Sequence, residues 1–495
     1  MGGGLIQLVA YSKQDIFLTK DPQITFFKIV YRRHTNFTME CIPQNFLDCP
    51  DFGKRVTSVI SRNGDLIRNI HLVIDLPNIP VFKDTLTKFA WVKKIGYAII
   101  KSVDIEIGDQ LIDRHFGDWL NIWHELTLSD KINVDHLIGS IKELTDFTNG
   151  KTSYRLMIPL QFWFNRISGL ALPIVSLQLN KVKINVELSE FEKCYNLTPT
   201  HYIDIDNAFV NFKPYEYIVQ NQGLNKQIIN QFVHFDILER RLYYIKHSES
   251  PFINNCSIKG LKTCFKATNK KNNGSGGGER SYKNIKLNNI SIKKSFLLVE
   301  YCFLDDDERA RFLKARHEYL IEQVVCSNEV GETVKGLNQS FKIPFTGLTK
   351  ELIWVTQLKN ALNLNQTFNY TDSVIFNKNN KNMIRKETIL FNGHERVSMR
   401  SSDYFTYLQQ YQHHKKGSDN CINVYSFALH PLDHQPSGTV NLTEIENVTL
   451  KINVNPLNND KAINNAIIRI YGIIYNIFRV SNGISGLMFA LDYSN

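Results

Sequence analysis

Alternation of apolar and polar residues with a period of two runs through this chain from one end to the other. No other feature constrains the fold as much, because successive side chains of a strand point to opposite faces. In "NIHLVIDLP" Ile70, Leu72, Ile74 and Leu76 share one face, and Pro77 ends the run. "SVDIEIGDQLID" puts Val103, Ile105 and Ile107 on one face with Asp104 and Glu106 on the other. Gly108-Asp109 then supplies the positive φ that a tight hairpin turn requires. "NVTLKINV" repeats the design with Val448, Leu450, Ile452 and Val454. In "IVSLQLNKVKINVEL" Val175, Leu177 and Leu179 keep one phase, then Val182, Ile184, Val186 and Leu188 take the other. That parity switch predicts a turn or bulge at Asn180-Lys181. These patterns describe half-buried antiparallel strands.

Helical spacing is scarce. "GDWLNIWHELT" sets Trp119, Ile122, Trp123 and Leu126 on one helix face, with Asp118 suited to the N-terminus. "DDDERARFLKARHEYLIEQVV" predicts a second helix over 305–323, its Asp305, Asp306, Asp307 and Glu308 at the positive end of the dipole. Many short strands with few helices predict sandwiches or barrels. A chain of 495 residues exceeds one sandwich, so two in tandem joined by the second helix is the economical arrangement. Between about 195 and 290, Asn and Lys rise, ending in "KATNKKNNGSGGGERS". Gly274 to Gly278 predict an exposed, mobile tip on a long insertion.

Composition excludes several classes of function. Apolar residues make up 43% and charged residues 21%, the profile of a globular chain with ample core. Eight cysteines without a C-x-x-C pair read as reduced, mostly buried thiols of an intracellular folding environment. The start lacks a secretory signal, and Ile6 stands where a myristoylation motif has Ser or Thr. Asn165, Arg166 and Pro173 break the most apolar stretch, which will not span a bilayer. Fifty-eight basic against 48 acidic residues give +10, spread along the chain rather than gathered in one stripe. No nucleic-acid module accompanies it, so direct nucleic-acid binding is not expected.

Motifs for chemistry fail at required positions. The glycine-rich tip has no Lys-Ser/Thr ending, so it is not a phosphate-binding loop. His124-Glu125, His317-Glu318 and His394-Glu395 each lack the second His of a zinc protease. "GISGL" at 483–487 lacks the last Gly of a nucleophile elbow. His413 and His414 are adjacent, so on a strand they would face opposite ways; with Lys415 and Lys416 they read as a basic loop. The Asp305–Glu308 run reads as a helix start rather than a metal site. No catalytic, cofactor-binding or metal site is predicted. Carboxylates converging from distant strands, as in sandwich glycosidases, are not decided by spacing.

With the strands placed, longer blocks stand out. "GGLIQLVAY…QDIFLTKDPQITFFKIVYRRHTNF" comes first. "GDLIRNIHLVIDLP", "IPLQFWFNRISGLALPIVSLQ", "FLDDDERARFLKARHEYLIEQ", "ELIWV", "YQHH" and "VYSFALHPLDHQPSGTVNLTEIEN" follow, with Pro431, Pro436 and Gly438 fixing a turn. In these blocks and their order the chain resembles the major capsid proteins of nucleocytoplasmic large DNA viruses. The resemblance implies an all-β chain of two tandem eight-stranded jelly rolls with a few short helices and long loop insertions. The expected division is an arm over 1–26, a first roll over 27–304 with the insertion at about 195–290, a helical connector over 305–320, a second roll over 321–490 and a tail over 491–495.

It further implies a structural subunit without enzymatic activity, assembled as a homotrimeric, pseudo-hexagonal capsomer in the icosahedral shell of a large DNA virus. Expected partners are neighbouring capsomers, minor capsid and penton proteins and, through minor proteins, an internal membrane. The expected location is the virion, after assembly in the host cytoplasm. The alternative is a jelly-roll glycan-binding attachment protein of the virion surface. Asn36, Asn273, Asn338 and Asn441 sit in N-x-S/T sequences, which an Asn-rich chain also produces by chance. The segment "ITFFKIVYRRHTNF" is expected to enter the first sheet. Phe26, Ile29 and Tyr31 would lie in the core, and Arg32, Arg33 and His34 at the strand's exit as a clamp for carboxylates at a junction.

Overall fold

The structure is a computed structural model. It describes residues 3–10, 13–128, 133–221, 227–248, 250–253, 256–268, 279–283, 287, 289–374, 380–414, 417–418, 420–454 and 466–490. Of the loop expected to be mobile over 268–281, residues 269–278 lie outside these residues, as does the tail at 491–495.

The first sandwich is built from β1 (Phe37–Asn45), β2 (Arg55–Val59), β3 (Leu66–Leu76), β4 (Ile100–Ile107), β5 (Gln110–Phe116), β6 (Tyr154–Pro159), β7 (Val182–Leu188) and β8 (Lys294–Leu304). Its two four-stranded antiparallel sheets run β1-β8-β3-β6 and β2-β7-β4-β5. The second sandwich uses β9 (His317–Cys326), β10 (Asn338–Lys342), β11 (Leu348–Leu358), β12 (Ile384–Phe391), β13 (His394–Ser401), β14 (Asn423–Ser426), β15 (Val448–Val454) and β16 (Ala466–Ser481). Its sheets run β9-β16-β11-β14 and β10-β15-β12-β13. Counted within each sandwich, both orders are 1-8-3-6 and 2-7-4-5. That shared order is a jelly roll, made twice.

Alternation sets the cores. Leu72, Ile74, Leu297 and Val299 of one sheet meet Val103, Ile105, Ile184 and Val186 of the other. In the second roll Leu352, Trp354, Ile468 and Ile470 face Ile384, Ile389, Leu450 and Ile452. The β4–β5 hairpin closes through Gly108 at φ 60 and Asp109 at φ 63, the pair of left-handed residues that a two-residue turn matching strand twist needs.

Three local expectations are corrected. The helix expected over 305–323 spans only Asp306–Lys314, and β9 begins at His317. "HEYLIEQVV" satisfies a strand as well as a helix, and full-length pairing with β16, from His317↔Val480 to Cys326↔Tyr471, decides for the strand. Residues 175–179 form no strand; β7 starts at Val182, and Leu179 is exposed. The segment 24–36 lies outside any strand or helix, and β1 begins at Phe37. Phe26, Phe27, Ile29 and Tyr31 are not core residues but 89%, 97%, 92% and 78% exposed in the single chain. The thiols also divide more evenly than expected, with Cys194, Cys302 and Cys421 buried and Cys41, Cys49 and Cys264 exposed.

Most of the insertion is an ordered module. A seven-stranded sheet between residues 201 and 281 packs Ile203, Ile218, Phe232, Leu242 and Tyr244 into a core of its own. Among the described residues no helix is long and apolar enough to cross a membrane.

Candidate functional site: the junction between the two rolls

The most elaborate chemistry of the molecule lies where the rolls meet. Strand β5 runs directly into the helix Gly117–Thr127, here called the wedge helix. The chain must start this helix with glycine, since a Cβ at Gly117 would sit 2.3 Å from Tyr97 O and 2.4 Å from Ile100 O. Its apolar face, Trp119, Ile122, Trp123 and Leu126, packs against Val324, Ile353, Val355, Tyr370, Ile422, Val424, Tyr471 and Ile473 of the second roll. One strand therefore serves two cores. In β11, Leu352 and Trp354 face the second roll's interior, while Ile353 and Val355 face the wedge. The same division in β16 sends Ile468 and Ile470 inward, and Tyr471 and Ile473 to the wedge.

Buried charges surround this apolar contact. Arg166 Nη1 of the first roll lies 3.0 Å from Glu322 Oε2 of the second, and its guanidinium stacks 4.0 Å from the Trp123 ring. Lys350 Nζ also donates to Glu322 and, at 2.6 Å, to Pro431 O. Burial pulls both cations below their ordinary ranges, and the Glu322 carboxylate opposes that pull. Asp118 lies 3.1 Å from Arg469; burial raises the Asp118 carboxyl, and the guanidinium counteracts it. Asp113 Oδ1 accepts from Val324 N at 3.1 Å, and Gln323 donates to Ile112 O, so β5 and β9 are joined through polar groups as well. At the rim Arg114 reaches Asp104 at 2.8 Å within its own roll and Glu329 at 3.1 Å in the other. Separating the rolls would break the Arg166–Glu322, Asp118–Arg469 and Arg114–Glu329 pairs, whereas Lys350–Glu322 and Arg114–Asp104 each lie within one roll.

The residues singled out by sequence are dispersed. Arg32, Arg33 and His34 are exposed, with no carboxylate in ion-pair range among the described residues, and His34 Nδ1 lies 2.8 Å from Thr35 O. Asp305 accepts from Glu308 N at 2.8 Å as a helix cap, and Arg309 pairs with Asp65 at 2.6 Å, fastening the connecting helix to the first roll. His124 Nδ1 is 3.1 Å from Tyr97 Oη, while Glu125 pairs with Lys94. His317 lies 2.7 Å from Phe312 O, Glu318 pairs with Arg479, and His394 starts the exposed strand β13. His413 ends a short helix rather than lying on a strand. His414 follows it outside any helix or strand, but it is not a solvated basic residue; its Nε2 is 2.7 Å from Glu351 Oε1, both side chains fully buried. Lys415, Lys416 and Asn273 fall outside the described residues. "GISGL" forms part of a short strand, Ile484–Leu487, against β16, with no helix following it among the described residues. Among the described residues no group of His, Cys, Asp and Glu could hold a metal.

Sequence reasoning found the wedge helix but not its partners Arg166, Glu322, Lys350 and Arg469. A signal was present. "ELIWV" and "AIIRIYGIIYNIF" are apolar on both strand faces, which marks strands covered on both sides rather than half-buried ones.

Two families match the chain. One, described as the major capsid protein N-terminus, covers residues 25–220; the other, described as the large eukaryotic DNA virus major capsid protein, covers 308–486. Probable capsid protein 4 of Acanthamoeba polyphaga mimivirus is 40% identical over 99% of both chains. The major capsid protein of Pyramimonas orientalis virus is 34% identical over 99% of this chain and 100% of the relative. Among solved structures, the PBCV-1 virus capsid aligns with a TM-score of 0.63 at 24% identity, covering 94% of this chain and 100% of that one. The Faustovirus major capsid protein aligns with a TM-score of 0.62 at 10% identity, covering 95% and 94%. At those identities the structures speak for the fold.

Proposed function

The chain belongs to the major capsid protein family of large eukaryotic DNA viruses and is a structural subunit of the virion capsid, and from that premise we propose that three copies close into one pseudo-hexagonal capsomer. The observation that carries this reading is the repeated strand order in two sandwiches packed together through the wedge. Three such chains present six similar units around one axis, which lets a three-fold object fill a six-fold lattice position. Closure by a third of a turn requires heterologous contacts, so each chain offers two different faces. Contacts of obligate size exceed about 2,000 Å² per pair.

The exposed apolar arm supports such contacts. Phe26, Phe27, Ile29 and Val30 gain nothing from the chain's own core and are suited to burial against a neighbouring protein. Arg32, Arg33 and His34 beside them would then meet carboxylates of that neighbour. In this reading the arm extends to about residue 36, the first roll ends at Leu304, the connector is the helix Asp306–Lys314, and the second roll begins at His317. Neighbouring capsomers, minor capsid and penton proteins, and a membrane reached through minor proteins complete the shell. Assembly takes place in the host cytoplasm, and the subunit carries no catalytic centre or cofactor. No observation favours the glycan-binding alternative.

Native mass measurement of the purified chain, diluted to nanomolar concentration, tests the capsomer. Three copies are expected. A monomer or a two-fold dimer would remove it.

A further inference from the structure

Beside the wedge, three side chains stand in an arrangement that the assembly role does not require. Lys94 Nζ donates to Asn121 Oδ1 at 2.6 Å and to Glu125 Oε1 at 2.8 Å. Asn121 and Glu125 are four residues apart on the wedge helix and so share the face that meets Lys94. Asn121 is fully buried, and its Nδ2 lies 3.4 Å from Tyr370 Oη. Lys94 holds a left-handed backbone, φ 52 and ψ 45, which a non-glycine residue adopts only when its surroundings impose it. We propose that Lys94 and Asn121 join in an intramolecular isopeptide bond, with Glu125 as the base.

The reaction needs nothing the chain lacks. Glu125 takes a proton from the Lys94 ammonium, and the freed amine pair attacks Asn121 Cγ, forming the new C–N bond. The Cγ–Nδ2 bond then breaks. Nζ begins with three protons and ends with one. The two it gives up, relayed through Glu125, turn the departing NH₂ into ammonium, and Glu125 returns to the carboxylate. No oxidation state changes, and no co-reactant is consumed. The hydrogen bond to Oδ1 already holds amine and amide together, which removes the entropic cost of bringing them into contact.

Glu125 is held as the ionised carboxylate against the Lys94 ammonium, the form that can accept a proton, although the same partners lower its affinity for one. Burial pushes its carboxyl up, but Lys94, Ser418 Oγ at 2.5 Å and Asn420 Nδ2 at 3.3 Å together hold it below its ordinary range. Lys94, Glu125 and Asn420 also line a cavity of about 580 Å³, which gives the ammonium a way out. The bond would close a covalent ring around the β4–β5 hairpin and fasten the wedge helix to the first roll's framework.

Proteolytic digestion of the folded full-length chain followed by mass spectrometry tests the proposal. A single branched peptide joining Lys94 to Asn121 is expected, lighter than its two components by one ammonia. It should disappear in Lys94→Arg and fall at least tenfold in Glu125→Gln. Separate Lys94 and Asn121 peptides at their unmodified masses, from wild-type protein, would overturn the bond whatever the variants do. A linked peptide at wild-type yield in Glu125→Gln would overturn the role given to Glu125.

Discussion

Two stretches of this chain read alike and end in opposite surroundings. "FFKIVYRRH" at 26–34 and "FWFNR" at 162–166 both run from aromatic residues into arginine. In the second, Phe162, Trp163 and Phe164 are buried, and Arg166 stacks on Trp123 and pairs with Glu322, 156 residues further along the chain. In the first, Phe26, Phe27 and both arginines stand exposed. The local pattern is neutral between these outcomes. A distant carboxylate and a covering sheet decide the second case, and the single chain offers neither to the arm.

This contrast can be broken by substitution. The largest effect is expected at the wedge, where Trp119→Ala empties a fully buried site between the rolls and should cost about 3–5 kcal/mol in urea unfolding. Phe27→Ala, which removes a large aromatic from the arm, should change the same quantity by less than about 0.5 kcal/mol. A comparable cost for both would place the arm in a fold core after all.

Removing charge sharpens the comparison further. Glu322→Ala leaves Arg166 and Lys350 buried without their carboxylate and should destabilise the protein by about 3 kcal/mol. A smaller effect comes from Glu387, whose carboxyl is pushed up to about 8 by burial in the second roll's core, while the Trp354 indole N–H donating at 2.5 Å opposes that rise. The folded chain keeps this proton up to about pH 8, whereas the unfolded chain releases it above the ordinary value of 4.5. The stability supplied by the protonated form is thus complete below 4.5 and lost as pH rises through 8. Relative to Glu387→Gln, wild-type unfolding free energy should fall by about 2 kcal/mol between about pH 6 and pH 8, at about 1.4 kcal/mol per unit. Parallel pH profiles would show that Glu387 is not protonated. The smallest effect on the chain itself is expected from Arg32→Ala with Arg33→Ala, within about 0.5 kcal/mol. The same pair of changes should lower the fraction of trimer at nanomolar concentration, and an unchanged fraction would take the arginines out of the contact.

How much of this was legible in the sequence follows from range. The β4–β5 hairpin was readable because Gly108-Asp109 and the alternation beside it are local. The wedge helix was readable for the same reason, since Trp119, Ile122, Trp123 and Leu126 need only helical spacing. Strand β9 was misread because its apolar residues carry both spacings, Tyr319 and Ile321 two apart and Ile321 and Val324 three apart, and only pairing with β16 decides between them. The arm was misread because Phe26 and Ile29 carry the composition of a core without a partner in the chain. Glu322, Lys350 and Arg469 were invisible as a site, since their partners come from segments far apart in sequence.

The central claim is that the wedge and its buried charges make two jelly rolls into one mechanical unit. Calorimetric unfolding of the purified protein tests it most directly, through the ratio of calorimetric to van't Hoff enthalpy. One cooperative transition that includes both rolls is the predicted result. Two resolved transitions, each with the enthalpy of a single roll, would contradict it.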